Sequence, residues 1–112
     1  MTRLAIRDYL NPPEEKTAST RPQGEKVRRA ILENWDTADK IIVVFEENLR
    51  ATISYMDEAF AKLLDVHQWE EFRAKLKFEH LSDYNKLLLA KTIRNRLTHG
   101  IAPKPADNQK SV

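Results

Sequence analysis

The sequence predicts an α/β domain with a small sheet of three or four mostly parallel strands, covered by about three main helices. Three observations lead to this fold class. Residues 41–45 form an unbroken apolar run rich in β-branched side chains, typical of a strand covered on both faces in the middle of a parallel sheet. Strand-like and helix-like segments alternate along the chain, as they do in parallel α/β layers. Residues 25–99 contain neither Gly nor Pro, which excludes glycine-rich phosphate loops and tight Asn-Gly hairpins from that stretch.

The first half of the chain is predicted to supply two strands and one helix. Residues 4–10 alternate loosely and predict a strand, and residues 11–23, rich in Pro, Ser, Thr and Glu, predict a long loop. A helix is expected to begin at Gly24 or a neighbour and to end near residues 34–37. Its apolar stripe at helical spacing consists of Val27, Ala30, Ile31 and Trp35. Residues 40–46 then form the central strand.

The second half is predicted to supply a short edge strand at 51–53, two helical segments, a strand and a last helix. Residues 54–57, Ser-x-x-Asp, have the form of a capping box at a helix start. The apolar face of that helix is expected to hold Met56, Phe60, Leu63, Leu64 and His67. A shorter helical piece covers residues 68–74, and the alternating residues 76–81 predict a half-exposed strand.

The last helix is expected to run from Ser82 or Asp83 to about residue 98, with Gly100 as its C-terminal cap. Its predicted buried side consists of Tyr84, Leu87, Leu88, Ile93 and Leu97. These elements form one domain, residues 1–100, followed by a polar, Pro-containing segment, 101–112, that is predicted to be disordered.

Composition and charge exclude several classes of protein. The chain has 112 residues and no Cys, which excludes disulfides, thiolate metal sites and Cys nucleophiles. Its three His residues are too far apart for a helical ligand pair, so neither a metal nor a cofactor is expected. Residues 25–99 carry 13 basic and 13 acidic side chains, and this balance makes nucleic acid an unexpected partner. No apolar run approaches the roughly 18 residues of a membrane span, and no signal peptide is evident, so a cytoplasmic location is expected.

Three segments resemble a known family. Residues 54–60, Ser-Tyr-Met-Asp-Glu-Ala-Phe, follow the buried strand and match a Ser-x-Ser-Phe-x-Asp-Glu-Phe-like pattern, with Thr52 at its first Ser position and Tyr55 in place of Phe. Residues 76–82 match a later strand that ends in Asn-Leu-Ser, with His80 in place of Asn. Residues 21–25 and Arg28 match an Arg-x-x-Gly-Glu start of the first helix. Over residues 4–98 the chain is similar to the STAS-like family of bacterial domains of unknown function, which is related to anti-sigma-factor antagonists.

The resemblance implies partner switching. In those relatives, a kinase-like ATPase phosphorylates a Ser or Thr at the start of the helix after a central strand, and the phosphate decides which partner binds. Here the candidate acceptors are Ser54 and Thr52. The competing hypothesis makes Ser54 a simple helix cap, and the frequency of Ser at caps favours it.

The function predicted from these observations is a non-catalytic regulatory module that binds a protein partner, such as a kinase-like ATPase or another regulator. The expected partner surface lies at the start and on the exposed side of the second helix. It consists of Thr52, Ser54, Asp57, Glu58 and Lys62. The loop at 11–23 could cover this surface or mediate self-association into a homodimer.

The alternative function is an RNA-cleaving toxin of the HEPN type. Arg94, Asn95 and His99 have the Arg-x4-His spacing of those ribonucleases, including the Arg-Asn start. In that chemistry His acts as the general base and Arg neutralises the phosphate. The same residues also fit a last helical turn whose cations favour the C-terminal dipole, and HEPN domains are all-helical, which the apolar run at 41–45 contradicts.

Overall fold

The apolar run at 41–45 forms the central strand of a parallel sheet. The computed structural model describes residues 1–99, except for the side chain of His99. The strands are β1 (Thr2–Ala5), β2 (Thr17–Ala18), β3 (Ile41–Val44), β4 (Arg50–Ala51) and β5 (Leu76–Glu79). The helices are α1 (Arg21–Glu33), α2 (Ile53–Ala59), α3 (Trp69–Lys75) and α4 (Asp83–His99). Strand β3 lies between β1 and β5, parallel to both, and β2 pairs with β4 in a second parallel sheet of two strands. The predicted α/β class is therefore confirmed.

One face of the larger sheet is the core, and the opposite face is only half covered. Ile41 and Val43 are fully buried, whereas the alternate residues Ile42 and Val44 are half-buried. The second face of β3 is therefore covered less completely than the first. There Arg3 of β1 and Glu79 of β5 form an ion pair of 2.6 Å that reaches across the central strand.

Helix α1 begins three residues earlier than Gly24. Thr20 caps it: the Thr20 hydroxyl accepts from the amide of Gln23, whose side chain accepts from the amide of Thr20. The predicted apolar stripe is buried. Gly24 lies inside the helix, where a Cβ atom would lie 3.0 Å from the carbonyl oxygen of Tyr55. The missing side chain thus lets α1 cross closely over α2.

The segments before α1 differ most from the prediction. The strand expected at 4–10 is β1, Thr2–Ala5, and the chain then turns into a 3-10 helix at Ile6–Tyr9. The loop expected at 11–23 contains β2 and the first turn of α1. Strand β2 is held by the amides of Arg50 and Thr52, which donate to backbone carbonyls of residues 16 and 18. A strand of two residues has too little periodicity to be read from sequence.

Helices α2 and α4 also differ from the expectation. Helix α2 ends at Ala59 and continues as a 3-10 helix, Ala61–Asp65, although the predicted apolar residues Met56, Phe60 and Leu63 are buried. Helix α4 faces the core with Asn85, Leu89, Thr92 and Ile93. Three residues expected on its buried side are instead exposed, namely Tyr84, Leu87 and Leu97. Because apolar residues occur on every side of α4, periodicity does not select its buried face.

The expected cap at Gly100 and the expected tail at 101–112 lie outside the described residues. Within residues 1–99, no helix combines the length and the apolar character needed to cross a membrane.

Candidate partner-binding site

The start of α2 is fixed by Thr52. The Thr52 hydroxyl accepts from the amide of Tyr55 at 3.1 Å and donates to the carbonyl of Ser19 at 2.9 Å. Thr52 is therefore the N-cap, and the predicted capping box that begins at Ser54 is wrong. The cap lies two residues earlier because the extended backbone of Thr52 places its hydroxyl over the first turn.

Ser54 is the second residue of α2 and has no capping role. Its side chain is half-buried. None of the hydrogen bonds between described side chains involves its hydroxyl, whereas the hydroxyl of Thr52 is used twice. Of the two candidate phosphoryl acceptors, Ser54 therefore has the freer oxygen.

Glu58, expected on the exposed side of α2, is buried at 7% exposure. Three cations surround its carboxylate: Arg28 at 2.8 Å, Lys62 at 3.0 Å and Arg21 at 3.1 Å. Arg28 also donates to the backbone carbonyl of Glu58. Glu58 is turned inward because the close crossing of α1 over α2 brings both arginines of α1 to it.

Asp57 is half-buried and joins the same set of charges. Arg96 of α4 donates to both of its carboxylate oxygens at 2.8 Å, and Arg21 contacts it at 3.2 Å. Arg96 also lies 3.4 Å from Asp65. The α2 ion-pair cluster thus consists of Arg21, Arg28, Asp57, Glu58, Lys62, Asp65 and Arg96. It ties α1, α2 and α4 together.

The cluster sets the protonation of Glu58. Burial by itself would raise the pKa of Glu58, but hydrogen bonds from Arg28, Lys62 and Arg21 outweigh it and lower the pKa to about 2. The carboxylate therefore stays ionised near neutral pH and is poorly suited to general acid–base catalysis there. Its role at this site is electrostatic.

Four residues of the expected partner surface, Ser54, Asp57, Glu58 and Lys62, lie along α2 and the 3-10 helix that follows it. Glu58 is buried, and Asp57 and Lys62 are half-buried and held in ion pairs, so Ser54 is the member of this set without a described side-chain partner. The ion pair of Glu58 and Lys62 was not predicted, although their spacing is that of neighbours on a helix. The sequence did not show Arg21, Arg28 and Arg96, since these come from other helices. Among residues 1–99, no three His, Cys, Asp or Glu side chains are grouped to hold a metal ion.

Of the alternative nuclease motif, the structure describes the side chains of Arg94 and Asn95. Arg94 and Asn95 are exposed on α4, and the side chain of His99 lies outside the described residues. The larger sheet is incompatible with the all-helical HEPN fold. The RNA-cleaving hypothesis has no support and is set aside.

Comparison with known proteins gives one match. No curated protein and no solved structure matches the chain. A family model described as a STAS-like domain of unknown function (DUF4325) matches residues 23–86, from the first turn of α1 to the first turn of α4. This match confirms the resemblance drawn from the sequence motifs and, together with the parallel sheet and the helix that follows β4, shows that the chain belongs to the STAS-like domain family.

Proposed function

We propose that the protein is a non-catalytic regulatory module whose binding to a protein partner is switched by phosphorylation of Ser54. The proposal rests on the different hydrogen bonding of Thr52 and Ser54 at the start of α2. Thr52 holds the helix cap with both of its hydrogen bonds, so the half-buried hydroxyl of Ser54 is left without a structural role. Family membership supports the proposal, because related STAS domains act by partner switching.

The switch is electrostatic. Asp57 and Glu58 lie three and four residues after Ser54, so they share its side of the helix. A phosphate on Ser54 adds a charge of about −1.5 to −2 next to these two carboxylates. Arg21, which contacts both of them through one nitrogen, is the nearest cation they share. A phosphate at Ser54 competes for Arg21 and loosens its contacts with α2.

The phosphoryl donor is ATP, held by a kinase-like ATPase partner. The Ser54 oxygen attacks the γ-phosphorus, the bond from that phosphorus to the β-phosphate oxygen breaks, and ADP leaves. The hydroxyl proton passes to a base of the partner, since the lowered pKa of Glu58 makes that carboxylate too acidic to hold it. The proposal includes a cytoplasmic location, where ATP is present.

The test compares four full-length variants in binding to a purified kinase-like ATPase from the same organism. The expected result is that Ser54→Asp changes the dissociation constant by about tenfold or more relative to Ser54→Ala, since a charge at an interface can exclude or recruit a partner. Ser19→Asp and Ser19→Ala are the matched pair, because Ser19 is half-buried and close to the same cap. They are expected to bind alike.

Phosphorylation itself is checked by mass spectrometry after incubation with the ATPase and ATP. We expect one phosphate, on Ser54, and none in Ser54→Ala. Equal binding of Ser54→Asp and wild type, or phosphate confined to another residue, would overturn the proposal.

A further inference from the structure

An apolar groove runs along the side of α4 that is turned away from α2. It has a volume of about 600 Å³, and its apolar lining comes from Trp69, Leu81, Leu89, Ala90, Ile93 and Leu97. A second cavity of about 570 Å³ continues it toward α3 and β5 and shares Trp69, Leu89 and Ile93 with it. The two form one continuous surface, which we call the α4 groove.

The spacing along α4 is that of a helix-packing seam. Lys86, Ala90, Ile93 and Leu97 line the groove at intervals of four, three and four residues, the spacing at which one helix packs against another. Ala90 is small and exposed, so a second helix can approach closely there. The seam extends for roughly 16 Å, at 1.5 Å per residue. Its C-terminal end at Leu97 remains 52% exposed.

The charges around the groove are almost all of one sign. Lys86 and Arg94 line its first part, and Arg73 and Lys77 line the second, against the single carboxylate of Glu70. Among residues 1–99, none of these four cations forms an ion pair. By contrast, the four cations of the α2 ion-pair cluster are all paired with carboxylates. The groove therefore combines an apolar floor with an unbalanced basic rim.

We infer that the α4 groove is a docking site for an amphipathic helix of a partner protein, with aliphatic side chains along one face and Asp or Glu beside them. The apolar face fills the seam and the carboxylates meet Lys86, Arg94, Arg73 and Lys77. A second copy of this chain fits less well, because a symmetric contact would bring its four cations against the same four. The chain's own residues 101–112 also fit less well, since they carry two Lys against one Asp. This surface is distinct from Ser54, so it extends the function beyond the proposed switch.

The probe is a synthetic helical peptide of about 18 residues, long enough to be helical, with Leu at the same four-three-four spacing and Glu at the flanking positions. A second peptide keeps the Leu residues and replaces every Glu by Lys. Binding to the full-length, ¹⁵N-labelled protein is followed by NMR titration. We expect the Glu peptide to shift the resonances of Trp69, Ala90 and Leu97, and the Lys peptide to bind at least about tenfold more weakly. Binding of the Glu peptide is expected to weaken as salt is raised.

Two pairs of exposed substitutions on α4 locate the site. We expect the Glu peptide to bind about tenfold more weakly to Leu97→Ser, and likewise to the double variant Lys86→Glu, Arg94→Glu. Leu87→Ser and Lys91→Glu alter exposed residues that do not line the groove, and they are expected to leave binding unchanged. Thermal unfolding of each variant confirms that it is folded.

Several results would overturn the inference. The first is that the Glu peptide does not bind, and the second is that the Lys peptide binds as tightly as the Glu peptide. The third is that Leu87→Ser weakens binding of the Glu peptide as much as Leu97→Ser does. Sedimentation showing a dimer that Leu97→Ser dissociates would assign the groove to a second copy. Binding that occurs only after Ile101→Asp would assign it to the chain's own C-terminal segment.

Discussion

A carboxylate buried as deeply as that of Glu58 is stable in its charged form only because cations surround it. If one member of a buried ion pair is removed, the charge that remains is still shielded from water but no longer has an opposite charge beside it. The free energy of unfolding therefore falls. Arg28 is the most buried of the three cations around Glu58, at 18% side-chain exposure. Substitution of Glu58 is therefore expected to weaken chiefly the contact between α1 and α2.

The lowered pKa of Glu58 sets a pH dependence of stability. Because the pKa in the fold is about 2, below the ordinary value of 4.5, Glu58 stabilises the fold fully above pH 4.5, and this contribution is lost as pH falls toward 2. Each unit of pKa difference is about 1.4 kcal/mol, so the free energy of unfolding is expected to fall by a few kcal/mol in this range. Urea unfolding at several pH values measures it.

Glu58→Gln isolates the contribution of this one residue. The lowered pKa values of Glu46, Glu71 and Glu79 act in the same direction and are present in both proteins. We expect a shallower acid dependence in Glu58→Gln than in wild type. Glu25→Gln, which removes an exposed pair with Arg29, is the matched control and should keep the wild-type slope. Parallel slopes for wild type and Glu58→Gln would contradict the assignment.

Gly24 is a second residue that determines local packing, because the absence of a side chain there allows α1 to lie close to α2. In an open helix Gly→Ala stabilises by about 1 kcal/mol. Here the added Cβ would lie 3.0 Å from the Tyr55 carbonyl oxygen and 3.2 Å from the Ala59 amide nitrogen, and backbone atoms cannot rotate aside. Gly24→Ala is therefore expected to lower the free energy of unfolding by about 1–3 kcal/mol. Lys26→Ala, on the exposed side of α1, is the control, and stabilisation by Gly24→Ala would show that the helices separate at little cost.

Among the elements, α2 depends on a cap that also fastens it to the segment before α1. Thr52→Ala removes the bond to the Tyr55 amide and the bond to the Ser19 carbonyl. It is expected to lower stability by about 1 kcal/mol or more. Ser54→Ala, two residues away, is expected to change stability by less than about 0.5 kcal/mol. Chemical denaturation measures both, and a larger cost for Ser54→Ala would restore Ser54 as the cap.

The elements that sequence predicted well are those whose burial follows a simple period. The continuous apolar run gave β3, the stripe from Val27 to Trp35 gave α1, and the alternation after residue 75 gave β5. Helix α4 was placed correctly, but its buried face was not, because Leu87, Leu88 and Leu89 offer three adjacent faces. The buried face includes Asn85 and Thr92, polar residues that no hydrophobic pattern selects.

The candidate site was less predictable than the fold. The sequence indicated the start and the exposed side of the second helix, but the exposure of its side chains depends on residues contributed by α1 and α4. Glu58 is polar and lies on the predicted outer face, so only the close approach of α1 explains its burial. The choice between Thr52 and Ser54 as the cap likewise depended on where β4 ends, one residue before Thr52.

At the scale of the whole molecule, Asn85 of α4 fastens the segment around β4 to the last helix. Its side chain is fully buried, donates to the carbonyl of Leu49 at 2.7 Å and accepts from the amide of Ala51 at 3.0 Å. Its truncation leaves both backbone groups buried without partners, at about 1–3 kcal/mol each. The small sheet of β2 and β4 is therefore held to the rest of the fold by one amide side chain as well as by apolar contacts.

Hydrogen exchange tests whether the two sheets unfold as one unit. In Asn85→Ala we expect amide protection to fall by the same factor in β3 as at Arg50 and Thr52, whose amides donate to backbone carbonyls rather than to Asn85, because loss of the link destabilises the whole domain. Asn95→Ala, an exposed change on the same helix, should leave both regions protected. Loss of protection at Arg50 and Thr52 without a loss in β3 would mean that the small sheet opens independently.

The parallel pairing of the larger sheet also affects how fast the chain folds. Thr2 pairs with Ile41, and Ile41 pairs with Leu76, so no two neighbouring strands are close in the chain. During synthesis β1 cannot pair until β3 has been made, and the sheet stays incomplete until β5 has been made. Such distant pairings slow folding relative to a helical bundle of the same size. Until β5 arrives, the apolar edge of β3 is open to other chains, and this interval is when the protein is most prone to aggregate.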